Sequence, residues 1–258
     1  MTNPDADSKR RFSDRVEHYI RNRPGYPPDV VKTLVAEAGL SPASAVADVG
    51  SGPGMSSLPF LELGATVYGV EPNEPMRRAA EERFQENRNF HSVAGMAEAT
   101  TLPDGSVDFV VAGQAFHWFD AAKARPEFAR ILRSGGRLVL LWNNWNPDAT
   151  PFLRDYENLL LRYGTDYKQV DHRNVGAEKI RSMFEPATYW HLHFGHAQFF
   201  DYPGLEGRLL SSSYIPLEGH PNHAPMMAEL RRIFDANQSG GRVRFDYETL
   251  MHFGRIAR

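Results

Sequence analysis

The stretch Ala45-Val46-Ala47-Asp48-Val49-Gly50-Ser51-Gly52-Pro53-Gly54-Met55 decides how the rest of the chain is read. Ala45 to Val49 is short and almost wholly apolar, the pattern of a strand buried on both faces of a parallel sheet. Three glycines at alternate positions follow. Lacking Cβ atoms, they let the backbone turn sharply and come into contact with a ligand. The dinucleotide fingerprint uses the spacing G-x-G-x-x-G and sets a pyrophosphate on a helix N-terminus. Here the third glycine comes one residue early, and Met55 stands where that fingerprint has glycine. Asp48 also places a carboxylate at the strand end. That charge repels a pyrophosphate and suits a cationic ligand carrying an ammonium group.

Working outward, short apolar runs alternate with helical patterns. Ala65 to Val70 is a second strand ending in Glu71, and Glu74 to Phe84 is a helix with Met76, Ala79, Ala80 and Phe84 inward. Phe90 to Ala94 and Val107 to Ala112 are further strands, the latter after the turn Pro103-Asp104-Gly105-Ser106. Lys123 to Leu132 is a helix closed by Ser134-Gly135-Gly136, and Arg137 to Trp142 is a fifth strand. Strands alternating with helices imply βαβ units. The expected fold is therefore α/β and Rossmann-like, a mainly parallel sheet with helices on both faces. Glu71, at the end of the second strand, can accept hydrogen bonds from both ribose hydroxyls of a nucleoside. Its alternative role is to cap the helix that starts near Pro72.

Upstream, Phe12, Val16, Tyr19 and Ile20 follow a helical period, broken by Arg23-Pro24-Gly25-Tyr26-Pro27-Pro28. Asp29 opens a second helix with Val30, Val31, Leu34 and Val35 on its apolar face. Beyond Asn146 the rhythm changes. Residues 147–185 read as a helical insertion, Tyr189 to Phe200 as a strand, and Pro203 to Leu210 and Ala224 to Phe234 as helices. Arg242 to Tyr247 is a final strand continuing towards Phe253. We read residues 1–258 as one domain: 12–40 an N-terminal helical lid, 41–146 a cofactor-binding core, 147–223 an insertion shaping a substrate pocket, and 224–258 a helix and strand completing the sheet.

Composition narrows the function. The 258 residues are 41% hydrophobic, enough for a full core, and carry a net charge of -3, so no global basic signal points to nucleic acid. The chain has no cysteine, which excludes disulfides, cysteine zinc sites and a thiol nucleophile. The polar start MTNPDADSKRRF lacks an apolar signal core, and no apolar run approaches the roughly 20 residues needed to cross a bilayer. The expectation is a cytoplasmic protein acting on a small molecule, with no membrane or nucleic-acid partner. Its oligomeric state is not readable.

Further motifs join the glycine turn: Gly95-Met96-Ala97-Glu98 with Leu102-Pro103-Asp104, then Gln114-Ala115-Phe116-His117-Trp118-Phe119, then Leu132-Arg133-Ser134-Gly135-Gly136. The opening Tyr19…Arg23-Pro24-x-Tyr26-Pro27 and the tail Ser211-x-Ser213-Tyr214 complete the set. Together they resemble the class I S-adenosylmethionine-dependent methyltransferases, and more narrowly the methyltransferase type 11 group near trans-aconitate methyltransferase. The resemblance implies a seven-stranded sheet and S-adenosyl-L-methionine as cofactor. It places the methionine moiety at Asp48 and the loop Gly50, Ser51, Gly52 and Gly54. It places the ribose at Glu71, the nucleoside along Pro72 to Met76, the adenine beside Met96 and Ala97, and the sulfonium beside Gln114 and Ala115. Many relatives have an acidic residue one position before the alanine; here it is Met96.

Methyl transfer needs the acceptor, methyl and sulfur held in line, and not a catalytic triad. An acceptor oxygen, carboxylate or hydroxyl, is the expected class. A carboxylate needs no base, whereas a hydroxyl needs one of suitable pKa. His117, just past the fourth strand, is the candidate base, with a loop-shaping role as the alternative. Arg23 and Tyr26 are candidates for holding the cofactor, and Tyr19, Trp118, Trp142, Asn143 and Trp145 for lining the acceptor pocket. His191, His193 and His196 invite a metal reading, but no carboxylate spacing completes a site, so no metal is expected. The competing classes are a nicotinamide-dependent oxidoreductase, disfavoured by the glycine spacing, and a cofactor-binding protein without catalysis.

Overall fold

The computed structural model describes residues 16–170 and 175–256; Phe12 of the first expected helix lies outside them. The elements are α1 (Val16–Asn22), α2 (Pro28–Ala38), β1 (Ala45–Val49), α3 (Leu58–Leu63), β2 (Thr66–Val70), α4 (Glu74–Arg83), β3 (Phe90–Val93), β4 (Val107–Gly113), α5 (Ala121–Ile131) and β5 (Leu132–Asn144). They continue as α6 (Pro151–Tyr163), α7 (Tyr167–Val170), α8 (Ala177–Phe184), β6 (Tyr189–Phe200), α9 (Tyr202–Leu210), α10 (His223–Asn237) and β7 (Val243–Gly254).

The seven strands form one sheet in the order β3-β2-β1-β4-β5-β7-β6. β3, β2, β1, β4 and β5 run parallel, and β7 lies antiparallel between β5 and β6. The strand order reverses beside β1, so a crevice opens at the carboxyl ends of β1 and β4.

Strand alternation sorts the buried side chains onto two faces. Ala47, Val110 and Leu140 pack with Phe128 and Ile131 of α5 and Met183 and Phe184 of α8. Val46, Phe109, Val111 and Val139 pack with Leu34 of α2 and Phe60 of α3. Asp48 shares the parity of Val46 and therefore faces the start of α3. A third cluster lies beyond the sheet edge: α6, α9 and α10 close around Phe245 and Tyr247 of β7. The insertion thus shares a core with the last strand. Among the described residues no helix is long and apolar enough to cross a membrane.

Two boundaries differ from expectation. The helix expected at Lys123 to Leu132 starts at Ala121, because the Asp120 side chain accepts from the Ala122 N–H at 3.2 Å and caps it. The glycine turn expected to close that helix instead belongs to β5, which begins at Leu132 and shifts register against β4 between Val107 and Phe109.

Phe128 is fully buried between α5 and the sheet. Phe128→Ala is expected to cost about 3–5 kcal/mol, read from the urea midpoint at constant m-value. A loss under about 1 kcal/mol would show that α5 does not seal this face.

Candidate functional site

A cleft of about 1170 Å³, open mouth included, lies at the carboxyl ends of the central strands. Gly50, Ser51 and Gly52 form one wall with Glu71, Pro72 and Met76; Met96 and Ala97 extend it. Gln114, Ala115 and Trp118 also line it, together with Tyr19, Arg23 and Tyr26 of the N-terminal segment and Asn143 of β5. Fifteen of the residues singled out in the sequence therefore meet in one cavity.

Glu71 is the structural hinge of this wall. It is 8% exposed, and its two carboxylate oxygens accept from the Gly52 N–H at 2.9 Å and the Asn73 N–H at 2.8 Å. A carboxylate offers about four acceptor positions, so two remain for hydroxyl donors in the cleft. Burial pushes its pKa up, against the pull of those backbone donors. Asn73 accepts from the Met76 N–H at 3.2 Å and caps α4. The capping role weighed for Glu71 thus belongs to Asn73. The Met96 turn is closed by a reciprocal backbone pair with Ala99 at 3.1 and 3.2 Å. Glu98, also on the wall, accepts from the Asp120 N–H at 2.8 Å.

The backbone at the floor is tightly specified. At Gly50, φ is +70° and a Cβ would meet Ala115 Cβ at 2.6 Å, so only glycine lets the loop lie against Ala115. Gln114 adopts φ +54°, rare for a residue with a side chain. It is held there by its own N–H to Leu141 O at 2.9 Å and by Nε2 to Asn143 O at 3.0 Å. Such conformations persist where surroundings impose them, commonly at ligand sites.

Five expected residues fall outside the cleft wall. Asp48 is fully buried beneath it and accepts from Ser57 Oγ at 2.6 Å and Ser56 Oγ at 2.8 Å. Ser56 itself lines the cleft, so the Asp48 charge acts through that hydroxyl and not by direct contact. Gly54 faces away: a Cβ there would meet Phe84 at 2.3 Å. His117 lies on the short 3-10 turn Phe116–Trp118 with its ring 5.0 Å from that of Trp118, and it is Trp118 that reaches the cleft. The candidate base is therefore not at the wall. Trp142 belongs to the core, edge-on to Phe116 at 6.1 Å. Trp145 packs with the insertion and donates its Nε1–H to Glu157 at 3.1 Å. Trp142 points away because β5 alternates, whereas Trp145 lies past the strand end and is carried into the core of the insertion, leaving Asn143 to face the cleft. Asn143 is 2% exposed, accepts from the Thr249 hydroxyl and donates to Gly25 O at 3.0 Å, which ties the N-terminal segment to β5.

Arg23 donates to Ser211 and Ser212 and lies over the Tyr19 ring at 5.2 Å. The sequence reading missed Arg208, which also lines the cleft. The available signal was a charge three residues after Leu205 and one before Leu209, on the helical face those leucines share, where a buried polar residue is informative. His191, His193 and His252 stack together on β6 and β7, and none lines the cleft. Among the described residues no cluster of three or more His, Asp or Glu could hold a metal ion.

Residues 47–140, which contain most of this wall, match the methyltransferase domain family. That segment is a methyltransferase domain of the type 11 group. An uncharacterized methyltransferase of Mycobacterium tuberculosis is 38% identical over 164 residues, 64% of this chain and 64% of its own length. An uncharacterized methyltransferase of Schizosaccharomyces pombe is 31% identical over 152 residues, 58% of this chain and 59% of its own. The chain thus matches somewhat less than two thirds of the length of these relatives. A solved structure from Anaeromyxobacter dehalogenans, provisionally assigned as a type II methyltransferase, covers 90% of this chain and 97% of its own at 24% identity and a TM-score of 0.64. The YcgJ protein of Bacillus subtilis covers 89% and 98% at 23% identity and a TM-score of 0.56. These structures share the methyltransferase fold.

Burial pushes the Asp48 pKa up from 3.8 to about 6, opposed by the Ser57 and Ser56 hydroxyls. A carboxyl easier to protonate when folded stabilises the fold below pH 3.8 and loses that contribution as pH rises to about 6. Asp48→Asn keeps a carbonyl acceptor for the serines and removes the buried charge. It should stabilise the ligand-free protein at pH 8 by roughly 2–4 kcal/mol and flatten stability between about pH 4 and 6. Denaturation across that range checks it; an unchanged slope would show that Asp48 does not titrate there.

Proposed function

We propose that this protein transfers a methyl group from S-adenosyl-L-methionine to an oxygen atom of a small-molecule acceptor. The observation that carries the reading is the Glu71 carboxylate, braced by two backbone N–H groups and left with free acceptor capacity in the cleft. That suits a vicinal diol such as ribose and repels a phosphate. The other groups present fit the same cofactor. Met76 and Met96 supply polarizable apolar surface for a base. The side-chain-free backbone of Gly50 and Gly52 permits close approach. Asp48 beneath Ser56 makes the floor electronegative, which favours an ammonium and a sulfonium.

When bound, the cofactor supplies a methyl on a sulfonium, a leaving group that needs no acid from the protein. The protein's work is then positional. Gln114 and Ala115, fixed by the contacts of β4 with β5, define where the reacting centre lies. Trp118 offers a ring face to positive charge and excludes water. Tyr19, Tyr26 and Arg23 close the cleft from the N-terminal segment, anchored through Gly25 to Asn143. With His117 away from the wall, no histidine among the described residues lines the cleft, which suits an acceptor already anionic at neutral pH.

Glu71→Ala should weaken S-adenosylhomocysteine binding by about 100-fold or more while retaining the circular dichroism of the fold, since charged hydrogen bonds contribute about 1.5–3 kcal/mol each. Calorimetry on wild type and variant, with NAD as a control expected to give no heat, decides it. Equal affinity in both proteins would refute the ribose assignment, and NAD binding would revive the oxidoreductase reading.

A further inference from the structure

The far end of the cleft holds two guanidinium groups side by side. Arg208, in the last turn of α9, is 1% exposed yet lines the cleft. Its Nε donates to Tyr247 Oη at 2.9 Å and its Nη1 to Ser212 Oγ at 3.4 Å. Its guanidinium carbon lies 5.7, 5.3 and 5.9 Å from the ring centres of Trp145, Phe245 and Tyr247. Arg23 reaches the same Ser212 Oγ through Nη2 at 2.9 Å, and Ser211 through Nε to Oγ at 2.8 Å and Nη2 to O at 3.2 Å. One serine hydroxyl therefore accepts from both arginines.

Among the described residues neither arginine is ion-paired to a carboxylate. Aromatic faces and hydroxyls soften a buried positive charge without neutralising it. Burial and the charge of Arg208 both pull the Arg23 pKa down, whereas Tyr247, Tyr156 and Tyr214 outweigh burial and hold the Arg208 pKa up, so the strain of the pair falls on Arg23. Arginine does not escape such stress by losing its proton in a protein. What relieves it is an anion, and the planar guanidinium fork matches a carboxylate in particular. The pair also has a defined place in the cleft. Glu71 ends β2, whereas the arginines sit beside Asn143 at the end of β5, with β1 and β4 between them in the sheet.

We propose that Arg23 and Arg208 form a carboxylate seat at the end of the cleft remote from Glu71. The inference rests on the methyl-transfer reading, under which two molecules can bring a carboxylate here: the acceptor, and the amino-acid end of the methyl donor. Arg208 is in either case a binding residue.

The test is calorimetry on the full chain. S-adenosylhomocysteine and 5′-methylthioadenosine, which lacks the amino acid, are titrated into wild type and Arg208→Met. Hexanoate, benzoate and succinate, each against its amide, are titrated with and without saturating S-adenosylhomocysteine. Because loss of Arg208 leaves a buried gap, Arg208→Lys and Arg23→Met accompany it, each checked by circular dichroism. The expected result is an acid that binds at least tenfold tighter than its amide and loses at least tenfold in Arg208→Met, with S-adenosylhomocysteine held within threefold; the seat then takes the acceptor. A tenfold loss of S-adenosylhomocysteine affinity with 5′-methylthioadenosine unchanged assigns the seat to the donor's carboxylate. The proposal is overturned if folded Arg208 variants bind both S-adenosylhomocysteine and the acids as wild type does, or if no acid is distinguished from its amide while S-adenosylhomocysteine binding is unaltered. A wild-type chain that ignores S-adenosylhomocysteine refutes the methyl-donor reading instead, and the acid–amide comparison alone then judges the seat.

Discussion

The double hydrogen bond into Glu71 is the constraint on which the cleft depends. One carboxylate receives the N–H of Gly52 from the glycine turn and the N–H of Asn73 from the start of α4. It thereby fixes two separate backbone segments against the end of β2. A neutral side chain would make weaker bonds to both, and a shorter one would not span them. The cost is a negative charge taken largely out of water, which is tolerable because the two donors recover part of the lost hydration. The same charge that holds the turn is offered to the cleft, so shape and binding capacity cannot be separated at this position.

Charge is distributed unevenly along the cavity. Asp48 and Glu71 load one end with buried negative charge, and Arg23 and Arg208 load the other with positive charge. In a water-poor cleft these fields are weakly screened. A ligand that is cationic at one point and anionic at another is therefore oriented before it makes close contact. This polarity comes at the expense of stability, since among the described residues none of the four buried groups forms an ion pair, and only Glu71 has an opposite charge, Arg77, acting on it.

The sequence made the cofactor half legible because its determinants are local. β1, the glycine turn, β2 and Glu71 follow one another within residues 45–71, and parallel strands buried on both faces announce themselves as apolar runs. Where the reading failed, the deciding contacts were not local. Whether Trp142 or Asn143 faces the cleft depends on the pleat of β5 against β7, and Trp145, past the strand end, is drawn into the core of the insertion by residues distant in the chain. His117 was placed correctly on the turn after β4, but a 3-10 turn sends successive side chains in different directions, and Trp118 took the position at the wall. Asp48 was read as a charge at the ligand itself, but its carboxylate lies buried beneath the cleft, where two serines downstream take its hydrogen bonds. Arg208 shows its role only once α9 is packed against Tyr247, which lies 39 residues away in the chain.

This asymmetry has a physical consequence for how such a protein can vary. The wall around the glycine turn and Glu71 lies within residues 50–76, and the N–H groups of Gly50, Ser51, Gly52 and Gly54 are all engaged, so substitutions there disturb the turn and the cleft together. The opposite end is assembled from three distant pieces: the segment around Arg23, Asn143 on β5, and the α9 region with its following serines. These meet through side-chain hydrogen bonds to hydroxyls and through the Asn143 link to Gly25. A change at Arg208 or Ser212 therefore alters what the far end binds without passing through Glu71 or the glycine turn. The insertion has its own core around Phe245, which lets it absorb such changes while the sheet stays intact. Separating a locally encoded wall from an end assembled at a distance lets one scaffold change what it binds while its turn is kept.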